Sequence, residues 1–496
     1  PAAETAAGLT EASCSSEGTG EGASGMDIAV IGLSCRMPGA DNLTEFWRLL
    51  AEGRSSIRAV PPERWGYRSQ YYAGLLDSIK IEDPAFFLIA DEDIEAMDPQ
   101  AFLVLEEALK VIYHAGYTQQ EIKGREVGVY LGARTQHWPD QDTLRQAKNP
   151  IVAIGQNYLA ANVSQFFDLR GPSLVLDTAC SSALVGMNMA VQALRDGDIE
   201  SALVGGISLL SGDMPHKIFE QRGILSPDPF FHAFDGRAGG VVLGEGSGMV
   251  LLKTVKQALK DGDQIYAVIK AISVNNDGRT AGPATPNLNA LKEVMHKGLE
   301  KSGKDPAEIS YIETNASGSE VTDLLELKAI QAVYRGDNEL PCGLGSIKPN
   351  IGHPLSAEGI ASFIKVAMML YNREIVPFLS GQEPMKHFDL AKSPFSFTRE
   401  LTKWSNPGRL ASINCFGDGG TNAHVIVQAW EEQSGRVIAR QPLKVLPLRH
   451  SVHPTATSQI AVSDNADASS AASGNIWRKK PANQVSDGKS SFWNRR

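Results

Sequence analysis

Cys180 stands in Leu174-Val175-Leu176-Asp177-Thr178-Ala179-Cys180-Ser181-Ser182-Ala183-Leu184, where an apolar strand runs into a helix. The apolar positions Leu184, Met187, Val191 and Leu194 recur at helical spacing, and Asp196-Gly197 supplies the stop. A sulfur at that junction suits nucleophilic attack, because a thiol attacks as thiolate and the unpaired N–H groups of a helix N-terminus lower its pKa. A single cysteine is more often a core filler than a nucleophile, so the assignment depends on what else the chain carries. Two further segments matter. In Gly345-Ser346-Ile347-Lys348-Pro349-Asn350-Ile351-Gly352-His353 a strand ends, and a basic residue and an imidazole follow five positions apart. Imidazole is suited to proton and hydrogen-bond traffic near neutral pH. In Asn414-Cys415-Phe416-Gly417-Asp418-Gly419-Gly420-Thr421-Asn422-Ala423-His424 the glycines permit a backbone turn that aims N–H groups at an oxyanion. Neither segment carries GxxxxGK[ST] or GxGxxG, which excludes a phosphate-cradling loop. Thiol, imidazole and oxyanion donors together point to acyl transfer.

The elements that must position these groups alternate. Short β-branched runs at 27–32, 127–132, 201–206 and 248–253 alternate with helical stretches at 99–114 and 181–196. A second set follows, with strands near 265–272, 309–312, 342–347, 411–415 and 423–428 around helices near 287–302, 323–335 and 358–371. This is an α/β pattern in two similar halves, although no sequence repeat is visible. The expected organisation is a flexible linker at 1–25, an N-terminal half with the nucleophile at 26–255, and a C-terminal half with Asn315 and His353 at 256–430. A segment that wraps back on the body follows at 431–450, then a disordered tail at 451–496, Ala/Ser/Thr/Asp-rich at first and bearing Trp477, Phe492 and Trp493 near its end.

Composition narrows the class. The chain has 496 residues, 42% hydrophobic and 21% charged, which is a globular composition with ample core. Lys+Arg 47 against Asp+Glu 57 gives −10, which argues against a nucleic-acid partner. No run approaches the ~18–20 apolar residues of a membrane span and no signal-peptide pattern opens the chain, so a cytoplasmic location is expected. Five cysteines are odd in number and never spaced as CxxC, so neither a disulfide framework nor a zinc site is indicated. The first residue is Pro, which reads as a piece of something longer.

Together these segments resemble the ketosynthase domains of modular polyketide synthases, within the thiolase-like superfamily of condensing enzymes. The resemblance spans about residues 26–450. It is carried by Ile28-Ala29-Val30-Ile31-Gly32-Leu33-Ser34-Cys35-Arg36-Met37-Pro38-Gly39, Met97-Asp98-Pro99-Gln100, Asp177-Thr178-Ala179-Cys180-Ser181-Ser182, Gly244-Glu245-Gly246, Val274-Asn275-Asn276-Asp277-Gly278, Asn350-Ile351-Gly352-His353 and the glycine loop at 416–424. No acyltransferase follows residue 450, and with the Gly419-Gly420-Thr421-Asn422 run this looks like the assembly lines whose acyltransferase is a separate protein. The resemblance implies a thiolase-like five-layered αβαβα fold, a homodimer, and an acyl chain delivered on the phosphopantetheine arm of an acyl carrier protein, with no permanently bound cofactor and no metal. It assigns Cys180 to the acyl thioester, the N–H groups of Cys180 and Phe416 to the oxyanion, His353 to hydrogen bonding near the thiol, and Lys348 with Glu313 to a supporting charge network.

One departure stands out. The family's second histidine lies in a Glu-Ala-His-Gly-Thr-Gly-Thr run, and the aligned stretch here is Glu313-Thr314-Asn315-Ala316-Ser317-Gly318-Ser319. Asn315 replaces the histidine, while Ser317 and Ser319 still offer hydroxyls to the pantetheine arm. The Leu-Gly-Asp-Pro that follows is altered to Val321-Thr322-Asp323-Leu324, with Asp323 and Glu326 kept. Decarboxylative condensation uses two imidazoles in this family, and Asn can neither become a cation nor shuttle a proton at pH 7. Loss of such a group is worth roughly 10²–10⁴ in rate, whereas acyl transfer to Cys180 needs the thiol, the oxyanion donors and one histidine. The expectation is therefore a non-elongating ketosynthase. The alternatives are an elongating β-ketoacyl synthase with a Cys-His-Asn site, an inert scaffold, and thiolase. Chalcone-synthase-type enzymes use Cys, His and Asn with the last two exchanged in order relative to this chain. Thiolase needs a second catalytic cysteine, and Cys415 precedes the glycine loop rather than lying where that residue is expected.

Overall fold

A computed structural model describes residues 27–448 except 136, 283–284, 337–339 and 433–435. The expected linker at 1–25 and tail at 451–496 lie outside the described residues.

Among the described residues eleven strands form one hydrogen-bonded sheet. In chain order they are β1 (Ile28–Arg36), β2 (Val127–Gly132), β3 (Ser173–Leu176), β4 (Ser201–Ser208), β5 (Gly246–Thr254), β6 (Ala267–Asn276), β7 (Ile309–Glu313), β8 (Cys342–Gly345), β9 (Phe395–Phe397), β10 (Leu410–Phe416) and β11 (Thr421–Gln428). Their order across the sheet is β9-β8-β7-β10-β11-β6-β1-β5-β4-β2-β3. The two halves are the same motif twice. β3-β2-β4-β5-β1 matches β8-β7-β10-β11-β6 in order and in sense, with the outer three strands parallel and the inner two antiparallel. The halves join through three antiparallel pairs, of which Ile28 opposite Ile269 is the first. The expected two halves are therefore present as two five-stranded sheets fused along β1 and β6, with β9 added at one edge.

Helices fill three layers around the sheets. α1 (Pro99–His114) and α2 (Tyr158–Phe167) share one outer core with β2 and β4. α5 (Leu288–Ser302) and α6 (Glu320–Ile330) share the opposite outer core with β7, β8 and β10. Between the halves lie α3 (Ser182–Asp196) and α7 (Glu358–Asn372), whose apolar residues meet in a central core with β1 and β10. A helix apolar on all sides has to be enclosed, and every residue from Glu358 to Leu370 is buried. α1 starts where the Asp98 carboxylate accepts the Gln100 N–H and Pro99 occupies the first turn. α3 ends at Gly197, left-handed at φ 79°. The start of α3 lies hard against β2, where a Cβ on Gly132 would come 2.4 Å from the Ala183 nitrogen. Side-chain bulk is not tolerated at that contact, so it fixes how deep Cys180 sits.

Residues 436–448 run over the first half, where Leu443 donates its N–H to the Tyr113 carbonyl at 2.9 Å. Ala439 and Arg440 donate their N–H groups to the Gly262 carbonyl, and the Arg440 guanidinium lies 4.1 Å from the centre of the Tyr117 ring.

Candidate active site

Cys180 sits at an elbow between β3 and α3. Ala179 before it is left-handed at φ 56°, an uncommon conformation for a residue with a side chain. Local hydrogen bonds hold it: the Asp177 carboxylate accepts the Ala179 N–H at 3.1 Å, and the Ser182 hydroxyl accepts the Thr178 N–H at 2.9 Å. Cys180 therefore precedes the first helical residue by two positions rather than lying inside the first turn.

His353 arrives on the loop between β8 and α7. Its backbone is bonded on both sides to the strand carrying Gly244, through His353 N–H to Val242 O at 2.7 Å and Gly244 N–H to His353 O at 2.9 Å. Gly352 has φ 76°, and a Cβ there would meet the Leu243 carbonyl oxygen at 2.6 Å. This close approach gives the Gly244-Glu245-Gly246 motif its role of seating the histidine. The His353 Nε2 stands 3.2 Å from the Cys180 sulfur. Its Nδ1 lies 3.3 Å from Glu358 Oε2, outside hydrogen-bond geometry, and the other Glu358 oxygen takes Lys348 Nζ at 2.7 Å.

The electrostatics of this pair differ from the sequence expectation. Burial, joined by the nearby Glu358 carboxylate, pushes the Cys180 thiol up to about 12, against the pull of Lys348 and of the Asp418 backbone amide. Burial and the Lys348 charge push His353 well below its ordinary value. The helix N-terminus is thus outweighed by desolvation, which favours the neutral thiol and the neutral imidazole over the ion pair. Burial works against charge on Lys348, yet Glu358 and Cys180 hold its pKa above the ordinary value. Burial raises Glu358 despite Lys348.

Lys348 and Glu313, expected in one supporting charge network, do not bond each other but both act on Glu358. Lys348 bonds Glu358 and the Asn315 carbonyl, the latter at 2.5 Å, whereas Glu313 accepts from Tyr311 Oη at 2.8 Å and Lys365 Nζ at 2.7 Å. Glu358, absent from the expected set, is the acid of the site. Its signal lies in α7, an otherwise apolar helix in which Glu358 and Lys365 are seven residues apart and so share a face. One pairs with Lys348 and the other with Glu313.

Asn315 lies on the loop after β7, and two acids of α6 hold that loop. Glu326 accepts the N–H groups of Asn315 at 2.8 Å and Ala316 at 2.9 Å, and Asp323 accepts the N–H of Ser317 at 2.7 Å and its hydroxyl at 3.0 Å. Asp323 and Glu326 are pushed up by burial, to about 6 and about 7. The Asn315 side chain reaches across to the glycine loop, where its Oδ1 accepts the Phe416 N–H at 2.9 Å. Phe416, expected as an oxyanion donor, has its amide occupied by Asn315. The glycine-loop amide that bears on the sulfur is that of Asp418.

Two cavities meet at the sulfur. One of about 170 Å3 is lined by Cys180, Asn315, Ser317, Ser319, Lys348 and His353 among others. Another of about 490 Å3 runs from Cys180 past Met214, Ile218, Leu355 and Trp138. The Ser317 hydroxyl proton is already given to Asp323. A larger cavity of about 900 Å3, among Phe234, Phe388, Phe395 and Phe397, includes none of these site residues.

Residues 26–258 match the family described as beta-ketoacyl synthase, N-terminal domain, and residues 266–382 match beta-ketoacyl synthase, C-terminal domain. The chain belongs to the β-ketoacyl synthase family. As a ketosynthase it is 63% identical over 417 residues to the polyketide synthase PksL of Bacillus subtilis (strain 168), covering 84% of this chain and 9% of PksL. It is similar to the oxazolomycin ketosynthase domain OzmH KS8 of Streptomyces albus JA3453, with 48% identity and a TM-score of 0.72 over 86% of this chain and 99% of that one. The ketosynthase from module 6 of the bacillaene synthase of Bacillus subtilis 168 gives 36% identity and a TM-score of 0.77 over 82% and 72%. Among the described residues no helix is long and apolar enough to cross a membrane.

Proposed function

We propose that this ketosynthase domain works in a polyketide assembly line by taking an acyl chain from an acyl carrier protein onto Cys180 and passing it on without adding two carbons. The carrier protein's phosphopantetheine arm enters the cavity lined by Ser317, Ser319 and Asn315, and the acyl chain lies in the cavity past Met214 and Ile218. The Cys180 sulfur attacks the thioester carbonyl, its proton passes to His353 Nε2, and the new Cys180 thioester forms as the bond to the pantetheine sulfur breaks. His353 returns the proton to that departing thiolate. The low imidazole pKa keeps the nitrogen free to accept, and Glu358 on the Nδ1 side faces the cation formed in transit. The Cys180 and Asp418 N–H groups face the carbonyl oxygen as charge develops on it.

The observation that carries the non-elongating reading is the Asn315 amide. Its oxygen is committed to the Phe416 N–H, so the group standing where the family has its second imidazole offers a fixed neutral donor and no proton acceptor. Decarboxylation of a malonyl unit then lacks one of its two imidazoles, while thioester exchange keeps the residues it uses. Mass spectrometry after incubation with a short acyl carrier protein thioester tests the transfer: the wild type gains the acyl mass on Cys180 and Cys180→Ala gains none. Acylation that persists in Cys180→Ala contradicts the assignment.

A further inference from the structure

The two cavities that meet at Cys180 share three further residues, Phe219, Arg222 and Asp418. Arg222 directly follows α4 (Met214–Gln221). Its guanidinium takes both oxygens of the Asp418 carboxylate, Nη1 to Oδ2 at 2.6 Å and Nη2 to Oδ1 at 3.2 Å, and lies 5.9 Å from the centre of the Phe219 ring. Two parallel bonds from a planar fork fix direction as well as distance.

What this pair holds is the Asp418 corner of a loop whose far end is fastened through its backbone: Asp277 donates its N–H to the Gly420 carbonyl at 2.9 Å, Gly420 donates to the Gly417 carbonyl at 2.9 Å, and Asn276 Nδ2 reaches the Gly419 carbonyl at 3.4 Å. Gly417 lies against the elbow, where a Cβ would meet the Thr178 carbonyl oxygen at 2.4 Å, and its N–H bonds the Thr421 carbonyl at 2.8 Å. Beyond it Gly419 and Gly420 have φ of 95° and 88°, and a Cβ on Gly419 would meet nothing within 4 Å. Asp418 is the single residue of 417–420 with a side chain, so its carboxylate is the handle on the loop tip. The backbone amide of that residue bears on the sulfur, where it favours the thiolate, and Asp418 lines both cavities that meet there; the Phe416 amide is bonded to Asn315 instead. The same device recurs across the thiol. Arg134 takes Asp177 through Nε at 2.7 Å and Nη2 at 3.0 Å, and Asp177 accepts the Ala179 N–H beside Cys180.

We propose that Arg222 is a positioning residue for acyl transfer: through its two bonds to Asp418 it holds the glycine loop so that the Asp418 N–H stands as an oxyanion donor opposite the Cys180 sulfur. Arg222 touches no reacting atom and acts through the loop. The inference rests on acyl transfer at Cys180, and its test separates the two. An oxyanion donor lost outright costs roughly 10²–10³ in rate, so one left to wander costs about tenfold.

The experiment compares two reactions of the same sulfur in the wild type, Arg222→Ala, Asp418→Ala, the double variant and Arg222→Lys. Loading from a butyryl N-acetylcysteamine thioester develops an oxyanion, and alkylation by iodoacetamide does not. Loading is expected to fall about tenfold in each alanine variant and no further in the double variant, because both substitutions release one loop. The double variant removes one charge of each sign, so its alkylation rate stays within about twofold of the wild type, and Arg222→Lys recovers part of the loading rate. A wild type that does not load Cys180 sinks the acyl-transfer reading itself. With the wild type loading, three results overturn the positioning role: wild-type loading in Arg222→Ala, equal losses of loading and alkylation in the double variant, or faster loading in Asp418→Ala, which would make Arg222 a charge acting on the thiolate.

Discussion

The Cys180 sulfur and the His353 imidazole stand 3.2 Å apart in a pocket that disfavours charge on both, so catalysis begins by moving a proton between neutral groups. This has a measurable pH signature. With the thiol pushed up to about 12 by burial and Glu358, the thiolate fraction rises about tenfold per pH unit throughout the range below that value. Iodoacetamide alkylation of Cys180 should therefore still be climbing at pH 9, and a plateau near pH 7 would show a thiolate–imidazolium pair instead. At this scale the sequence is readable where a residue type is tied to a local pattern. Cys180 at a strand-to-helix junction and His353 after a glycine were legible, as was the replacement that puts Asn315 in a histidine's place. Glu358 is not legible as a site residue, because a lone acid opening a helix reads equally well as an ordinary first-turn residue. The bond from Phe416 N–H to Asn315 was not legible at all, since it joins positions 101 residues apart and depends on β7 lying beside β10.

At the scale of elements, α6 is what fixes the Asn315 loop. Glu326 accepts two N–H groups from that loop and the Asn414 Nδ2 at 3.0 Å, and removing its carboxylate leaves those buried donors without partners. Glu326→Ala should lower stability by about 3 kcal/mol in denaturant unfolding, in line with the cost of orphaned buried polar groups; a loss below about 1 kcal/mol would mean that water or a shifted loop satisfies them. Most strands and helices were legible from apolar periodicity with ends displaced by a few residues, for example the strand expected at 201–206 and found as Ser201–Ser208. Strand order was not. The repeated β3-β2-β4-β5-β1 arrangement emerges from long-range pairing, and two halves with the same topology need share no residues provided each keeps its buried faces apolar.

At the scale of the whole molecule, β3 is an end strand among the described residues, paired on one side with β2, and its Leu174 is 36% exposed. An unpaired apolar edge invites a second copy. Sedimentation at micromolar concentration should give twice the chain mass for the wild type and a larger monomer fraction for Leu174→Lys, and a wild-type monomer would contradict the pairing. The chain spans 9% of the PksL sequence it matches. What an acyl chain on Cys180 does next decides between transfer and condensation. Butyryl-loaded protein mixed with malonyl acyl carrier protein, followed by carbon dioxide capture and mass spectrometry of the carrier, measures this directly. A non-elongating domain gives no carbon dioxide, no carrier-bound product longer by two carbons, and unchanged butyryl transfer to a free carrier protein. Turnover to a two-carbon-longer β-ketoacyl product would contradict the non-elongating reading and assign condensation to the Cys180, His353 and Asn315 site.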